Sequence, residues 1–116
     1  MDIVMNDLEE KMMQNLNEYL EVIKADYRIF FKGRNDEIAQ KMIEEFDAGL
    51  RVEAGSKYLK VITKNSVHSF ICLKDSGKFV KGDILKAKSW RAPATNFARG
   101  NLLKKTFENV RWTGTM

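Results

Sequence analysis

The sequence predicts an α+β fold in which an N-terminal helical hairpin packs on a small, twisted antiparallel sheet of four or five strands. Apolar residues recur every three or four positions through residues 1–49, as on one face of a helix. From residue 50 the apolar spacing becomes two, with turn-forming residues between the runs. The chain has 116 residues, 44% hydrophobic and 31% charged, which suits one compact domain with its own core. We divide it into an acidic helical hairpin, residues 1–49, and a basic β half, residues 50–116.

The first segment is predicted to form a long helix, since no proline or glycine interrupts residues 1–32. Asn6 or Asp7 can cap its start, because a side-chain oxygen there accepts a free N–H group of the first turn. The apolar stripe comprises Met5, Leu8, Met12, Leu16, Tyr19, Ile23, Tyr27 and Phe30. We expect this stripe to pack on the rest of the chain.

A second, shorter helix is predicted after a break at residues 33–36. Asn35 or Asp36 can cap this helix, and Gly49 is its predicted C-terminal stop. The predicted apolar face comprises Ile38, Met42, Ile43 and Phe46. Because the connection is short, we expect the two helices to run antiparallel.

Alternation of apolar and polar residues predicts the strands of the basic half. They are a short strand at Leu50 and Val52, a hairpin of residues 58–64 and 67–73, a strand at 84–90 and a last strand at 110–113. Residues 91–101 are predicted to form an ordered loop and residues 102–107 a helical turn. Closure of the sheet into a barrel is an open alternative.

The net charge of +4 conceals two segments of opposite charge. Residues 1–56 hold 7 basic and 13 acidic residues, a net −6, whereas residues 57–116 hold 13 basic and 3 acidic residues, a net +10. A segment this basic favours a polyanion, such as DNA or RNA, as partner. The alternative is that the acidic half neutralises the basic half, within one chain or between two.

Signatures of catalysis and metal binding are missing from the sequence. There is one histidine, His68, and one cysteine, Cys72, which are too few ligands for a closed zinc site and leave no intramolecular disulfide. Neither a glycine-rich phosphate loop nor a nucleophile-elbow sequence is present. We therefore expect a protein without catalytic residues, metal or cofactor, and not an enzyme.

The candidates that remain are basic and aromatic. Ammonium and guanidinium groups bind phosphates, and an aromatic ring can stack on a base. The candidate nucleic-acid-binding residues are Lys86, Lys88, Trp90, Arg91, Arg99, Lys104, Lys105 and Arg111. The candidate loop contacts are Asn96, Gly100 and Asn101. For the tryptophans, Trp90 and Trp112, the alternative is a place in the core.

Strand alternation places one face of residues 84–90 in solvent and the other in the core. The expected solvent face comprises Ile84, Lys86, Lys88 and Trp90. The expected core face comprises Leu85 and Ala87. Two lysines and a terminal tryptophan on one solvated face would form a surface for polyanions.

Several stretches of the basic half resemble small uncharacterised proteins encoded by tailed bacteriophages. These stretches are GSKY at residues 55–58, KGDILKA at 81–87, Trp90 with Ala92 and Pro93, NFARGN at 96–101 and RWTG at 111–114. The resemblance covers the basic half of the chain and carries no established activity. It implies a phage protein that works in a bacterial cell, and it favours the loop at 91–101 as a binding surface.

We therefore expect a non-enzymatic phage accessory protein that binds DNA or RNA through the C-terminal half. The alternative is a small adaptor or inhibitor that binds a host or phage protein through the loop at 91–101 or through the methionine-rich first helix, which is also the expected surface of a homodimer. No apolar run of about 18 residues exists, and the acidic start is unlike a secretory signal. We expect a cytoplasmic protein with no membrane partner.

Overall fold

A computed structural model describes residues 7–34 and 36–115 of the chain. Within these residues two helices precede five strands, which confirms the predicted α+β class. The helices are α1 (Asp7–Phe30) and α2 (Glu37–Gly49). The strands are β1 (Leu50–Ala54), β2 (Tyr58–Thr63), β3 (Ser66–Cys72), β4 (Asp83–Lys86) and β5 (Gly100–Asn101). The predictions for Met5, Asn6, Asn35 and the side chains of Asp7 and Leu8 fall outside the described part.

The predicted apolar stripe of α1 is buried along most of its length. Its buried members are Met12, Leu16, Tyr19, Ile23 and Tyr27. The prediction is wrong at the end of the helix, because Phe30 is 60% exposed and Phe31 is buried instead. Lys32 and Gly33 have positive φ angles of 51° and 81°, so the chain leaves the helix here and the ring of Phe31 joins the core.

Helix α2 begins and ends where the sequence predicts. Asp36 caps the helix, because its Oδ1 accepts a hydrogen bond of 3.0 Å from the backbone N–H of Ala39. This hydrogen bond, assisted by Arg34, lowers the pKa of the Asp36 carboxyl. The predicted apolar face is wrong for Ile38 and Met42, which are 66% and 40% exposed.

The buried face of α2 differs from the predicted one because an aromatic ring makes the contact with α1, whereas Ile38 and Met42 are exposed. The ring of Phe46 stacks on that of Tyr27 at a centroid distance of 4.1 Å. Beside it, Arg28 and Asp47 form an ion pair of 2.7 Å. All four residues lie near the C-terminal ends of their helices, so these contacts join α2 to the end of α1.

The sheet is an antiparallel meander with the strand order β1-β2-β3-β4-β5. Strands β1 and β5 are its two edges, so the sheet is open and the barrel alternative is wrong. A register shift between Val61 and Ile62 interrupts the pairing of β2 with β3. Such an irregularity increases the local twist of a strand pair.

Three predictions for the chain after β3 are wrong. Strand β4 stops at Lys86, because the N–H groups of Lys88 and Ser89 both donate to the carbonyl oxygen of Ala92, at 3.0 Å, and turn the chain. The predicted loop at 91–101 ends in β5. The predicted strand at 110–113 is a turn in which Arg111 and Gly114 exchange two backbone hydrogen bonds.

One face of the sheet packs on α1. Leu59, Ile71 and Ile84 are neighbours across β2, β3 and β4 and belong to the same core cluster as the stripe of α1. The expected solvent face of the strand at 84–90 is therefore wrong for Ile84, which is buried under the helix. Lys86 remains exposed, because it lies at the end of β4.

The opposite face of the sheet is also apolar and carries a second core cluster. Phe70 and Leu85 pair across β3 and β4 and are both buried there. Ala87 and Ala98, from the two ends of the segment at 87–98, pack against this cluster. A loop, and not a helix, therefore covers the second face.

Gly100 is the residue of β5 whose substitution the fold tolerates least. A Cβ atom there would overlap the carbonyl oxygen of Thr106, which is backbone and cannot rotate away. We expect Gly100→Ala to lower the free energy of unfolding by about 3 kcal/mol, measured by urea denaturation. Gly77 also has a positive φ, of 59°, but faces open space, so Gly77→Ala is the matched control and costs about 1 kcal/mol. Equal losses in the two variants would contradict the predicted overlap.

Candidate nucleic-acid interface

The chain after β4 turns back across the second face of the sheet and carries Trp90 and Arg91 with it. The ammonium group of Lys60, in β2, lies 5.1 Å from the ring centroid of Trp90 and 5.9 Å from that of Phe70. Arg91 lies beside the end of β1 and the turn that follows it. These two predicted candidates are therefore brought to β2, a strand on which the sequence indicated no site.

Arg91 borders a shallow concavity of about 260 Å³, here called the sheet groove. The half-buried ring of Tyr58, packed on the buried Phe70, supplies its aromatic lining, and Lys57, Lys60 and Arg91 supply its cations. The lining also contains one carboxylate, that of Glu53. The groove is thus basic and aromatic, which is the composition that binds a phosphate beside a flat ring.

The three cations of the sheet groove are not used by the fold. Within the described residues, none of Lys57, Lys60 and Arg91 forms an ion pair. The ammonium of Lys57 lies 5.6 Å from the centroid of the Tyr58 ring. Such cation–π contacts are weak at exposed sites, so they orient the ammonium groups and leave their charge available.

The two tryptophans have different environments. Trp90 is 45% exposed, beside Lys60. Trp112 is half-buried on the helix side, with its ring centroid 4.9 Å from that of Tyr27 and its backbone N–H donating to Asp26 at 2.9 Å. Trp90 is therefore accessible to a ligand, whereas Trp112 belongs to the packing of α1.

Two of the predicted cations face acidic residues of α1. Lys105 forms an ion pair of 2.8 Å with Glu18, and Arg111 lies 3.8 Å from Asp26. The structure thus brings part of the basic half against the acidic half, as the alternative interpretation of the charge distribution expected. These cations lie on the helix side of the sheet, away from the sheet groove.

The remaining predicted cations are dispersed. The guanidinium of Arg99 lies 4.0 Å from the centroid of the exposed Phe97 ring, and its Nε is buried without a hydrogen-bond partner among the described residues. Lys88 lies beside Trp90 in a neighbouring depression at the turn between β2 and β3. Lys104 is exposed on the turn after β5, where the adjacent Leu103 carbonyl accepts a hydrogen bond from Asn15 of α1.

The candidate loop contacts divide into one surface residue and two structural residues. Asn96 is exposed, and its backbone carbonyl accepts a hydrogen bond from Lys78. Gly100 and Asn101 form β5 rather than a contact loop, which corrects the prediction. The amide of Asn101 is buried, donates to Asp83 at 2.9 Å and accepts from the N–H of Lys104 at 3.0 Å, so it is saturated within the fold.

Three residues of the sheet groove were not predicted as site residues, namely Lys57, Tyr58 and Lys60. A signal was present, because the alternation of β2 places Tyr58 and Lys60 together on the face opposite Leu59. What the pattern lacked was the return of Trp90 and Arg91 across β3 to this strand. That return depends on the turn at Ala92 and has no periodic signature.

His68 belongs to a buried chain of hydrogen bonds that joins three parts of the fold. Its Nε2 lies 2.7 Å from the carbonyl oxygen of Arg111, which can only accept, so Nε2 carries the proton. Its Nδ1 therefore accepts from the Ser69 hydroxyl at 2.9 Å, and Ser69 in turn accepts from the Tyr19 hydroxyl at 2.8 Å. The chain links β3 to α1 and to the C-terminal turn.

Burial shifts the ionisation of these groups and of the cysteine. It lowers the pKa of His68 and raises the pKa of Tyr19, so both groups are held neutral. Burial raises the pKa of the Cys72 thiol to about 11, with a smaller contribution from Asp83.

Within residues 7–34 and 36–115, no group of three or more histidine, cysteine or acidic residues is placed to hold a metal ion. No helix in this part of the chain is long and apolar enough to cross a bilayer.

A family model described as "Family of unknown function (DUF7717)" matches residues 3–116. The chain belongs to this family. No curated protein matches the chain, and no solved structure does. Membership brings no activity with it, so the function has to be inferred from the geometry of the chain.

The buried His68 predicts a pH dependence of stability. Because its pKa is lowered in the fold, the unfolded chain binds a proton below about pH 6.5 that the folded chain does not bind. The stability contributed by the neutral imidazole is therefore complete above that pH and is lost as the pH falls. We expect the free energy of unfolding to fall toward pH 5 with a slope of up to about 1.4 kcal/mol per pH unit.

Urea denaturation between about pH 5 and pH 7.5 measures this slope, with His68→Gln as the control. His68 is the one histidine of the chain, and the carboxyl groups titrate at lower pH than an unperturbed histidine. The variant is expected to be less stable at pH 7.5 but to have a flatter profile above about pH 5. Parallel profiles for the two proteins would contradict the assignment.

Proposed function

We propose that the chain binds nucleic acid at the sheet groove and the adjacent ring of Trp90. The observation that supports this is the exposed indole of Trp90, which has a lysine over it and stands beside a groove rimmed by two further cations. Cations neutralise phosphates, and each neutralised phosphate releases counterions from the polymer. The ring adds a surface on which a base can stack.

The charge of the basic half supports the same proposal. Residues 57–116 carry a net +10, and among the described residues its ion pairs to the acidic half involve Lys64, Lys105 and Arg111. The cations on the second face of the sheet remain available. A polyanion would therefore approach the molecule from the side opposite α1, where the acidic residues of the helices do not repel it.

The resemblance of the basic half to proteins of tailed bacteriophages extends the proposal to a biological setting. The chain is a phage accessory protein that acts in the cytoplasm of the host bacterium. It acts by binding and not by catalysis, which is supported by the burial of both His68 and Cys72 and by the raised pKa of the thiol.

Removing two groove cations tests the proposal. We expect Lys57→Ala with Arg91→Ala to weaken binding to DNA and RNA and to reduce the log–log salt slope by about two units, because two phosphate contacts are lost. Fluorescence anisotropy with labelled oligonucleotides at several salt concentrations measures both quantities. The matched control is Lys11→Ala with Lys41→Ala, which removes the same charge from exposed positions on the helices, away from the groove.

The control separates binding at the groove from binding by net charge. An equal loss in both double variants would mean that the contact is diffuse and does not involve the groove. Wild-type protein that binds neither single- nor double-stranded DNA or RNA at low salt would reject the proposed function.

A second candidate function, contact with a host or phage protein, is favoured by exposed apolar side chains on the helices. Within the described part of the methionine-rich first helix, Met12 and Leu16 are buried, whereas Met13 is exposed. Further exposed apolar residues lie at the end of α1, at Ile29 and Phe30, and on α2, at Ile38 and Met42. Ile38 and Met42 are four residues apart and so lie on one face of α2, and neighbouring exposed apolar side chains are typical of a protein contact.

Substitution on α2 tests this second candidate. We expect Ile38→Ser with Met42→Ser to leave the stability of the chain within about 0.5 kcal/mol, because both side chains are exposed. Affinity capture from a bacterial lysate should then lose a protein partner that the Lys57→Ala/Arg91→Ala variant retains. Capture that survives the α2 substitutions would reject this surface.

A further inference from the structure

Two exposed rings on the segment that covers the second face of the sheet each lie beside a cation. Trp90 has the ammonium of Lys60 at 5.1 Å from its ring centroid. Seven residues later, the exposed Phe97 has the guanidinium of Arg99 at 4.0 Å. Proteins that bind single strands combine the same two parts, since the ring stacks on a base while the cation contacts the backbone.

A duplex would leave this arrangement unused. Its bases are stacked on one another, so a side-chain ring finds no free base face. Duplex DNA is commonly read by a helix or a two-stranded ribbon that projects into the major groove. The groove here is concave, and the exposed faces of α1 and α2 carry carboxylates, among them Glu18, Glu21 and Glu44, which phosphates repel.

We infer that the nucleic acid bound at the sheet groove is single-stranded, with an unpaired base stacked on Trp90. This inference rests on the proposed function. Lys57, Lys60 and Arg91 contact the phosphates that flank that base. Stacking on the exposed ring of Trp90 accepts any base, so recognition is of strand state and not of sequence.

The different places of the two tryptophans make the fluorescence of Trp90 a signal for base stacking. The chain has two tryptophans, and Trp112 is packed against Tyr27 and Phe46 on the other side of the sheet. In a Trp112→Phe background the fluorescence therefore reports on Trp90 alone. A base stacked on the indole should quench this emission, whereas phosphate contacts alone should leave it nearly unchanged.

The experiment compares oligothymidylate, oligouridylate and a DNA duplex of equal length, using anisotropy for affinity and Trp90 emission for stacking. We expect both single strands to bind more tightly than the duplex and to quench Trp90. Trp90→Ala should weaken single-strand binding by about 5- to 100-fold and leave duplex binding within about twofold. Trp90→Phe retains a ring and should recover most of the loss. The ratio of oligouridylate to oligothymidylate affinity identifies whether RNA or DNA is preferred.

Each negative result has a separate meaning. Duplex binding as tight as single-strand binding, with no effect of Trp90→Ala, would overturn the inference and leave nucleic-acid binding in place. A failure of every probe to bind at low salt would reject the proposed function and the inference together. Circular dichroism of the Trp90 variants checks that a loss of binding is not a loss of fold.

Discussion

The rest of the structure depends on one constraint, that the sheet is apolar on both faces and each face has to be covered. Ile71 and Ile84 face α1, while Phe70 and Leu85, their neighbours along the same strands, face the other way. The long helix covers the first face with its buried stripe. On the second face no helix is packed among the described residues, and the segment after β4 folds back over it. The cover is irregular chain, and this chain brings Trp90 and Arg91 to β2.

Helix α1 organises the C-terminal half through polar contacts as well as apolar ones. Asn15 donates to the carbonyl of Leu102, Tyr19 reaches Ser69 of β3, and Asp26 accepts from the backbone N–H of Trp112. These positions are spaced so that they lie near the same face of the helix. The acidic residues of α1 also engage Lys105 and Arg111. The helix thereby separates the basic residues into a set that it engages and a set that remains available at the sheet groove.

Much of the fold could be predicted from the sequence, and the errors have specific causes. The long helix, the second helix with Asp36 as its cap, and the hairpin of β2 and β3 follow from strong periodicity and local capping chemistry. The predicted length of β4 and the predicted strand at 110–113 were wrong, and β5 was not predicted. Strand β4 ends where the chain turns on hydrogen bonds to Ala92, β5 forms by pairing with Asp83 and Ile84, and Arg111 pairs with Gly114. Short strands without an alternating pattern form only when a neighbouring strand is available for backbone pairing.

The sequence by itself determined the α+β class, the two helices, the opposed charges of the two halves and the basic-aromatic character of the C-terminal half, since period and composition are local properties. Only the tertiary structure decided which cations are available and which ring is exposed. Lys60 lies at the ring of Trp90, and Lys57 shares a groove with Arg91, because residues distant in the chain meet across β3. Arg111 instead lies beside Asp26 of α1. Burial and proximity are properties of the packed chain, and no pattern within a single segment contains them.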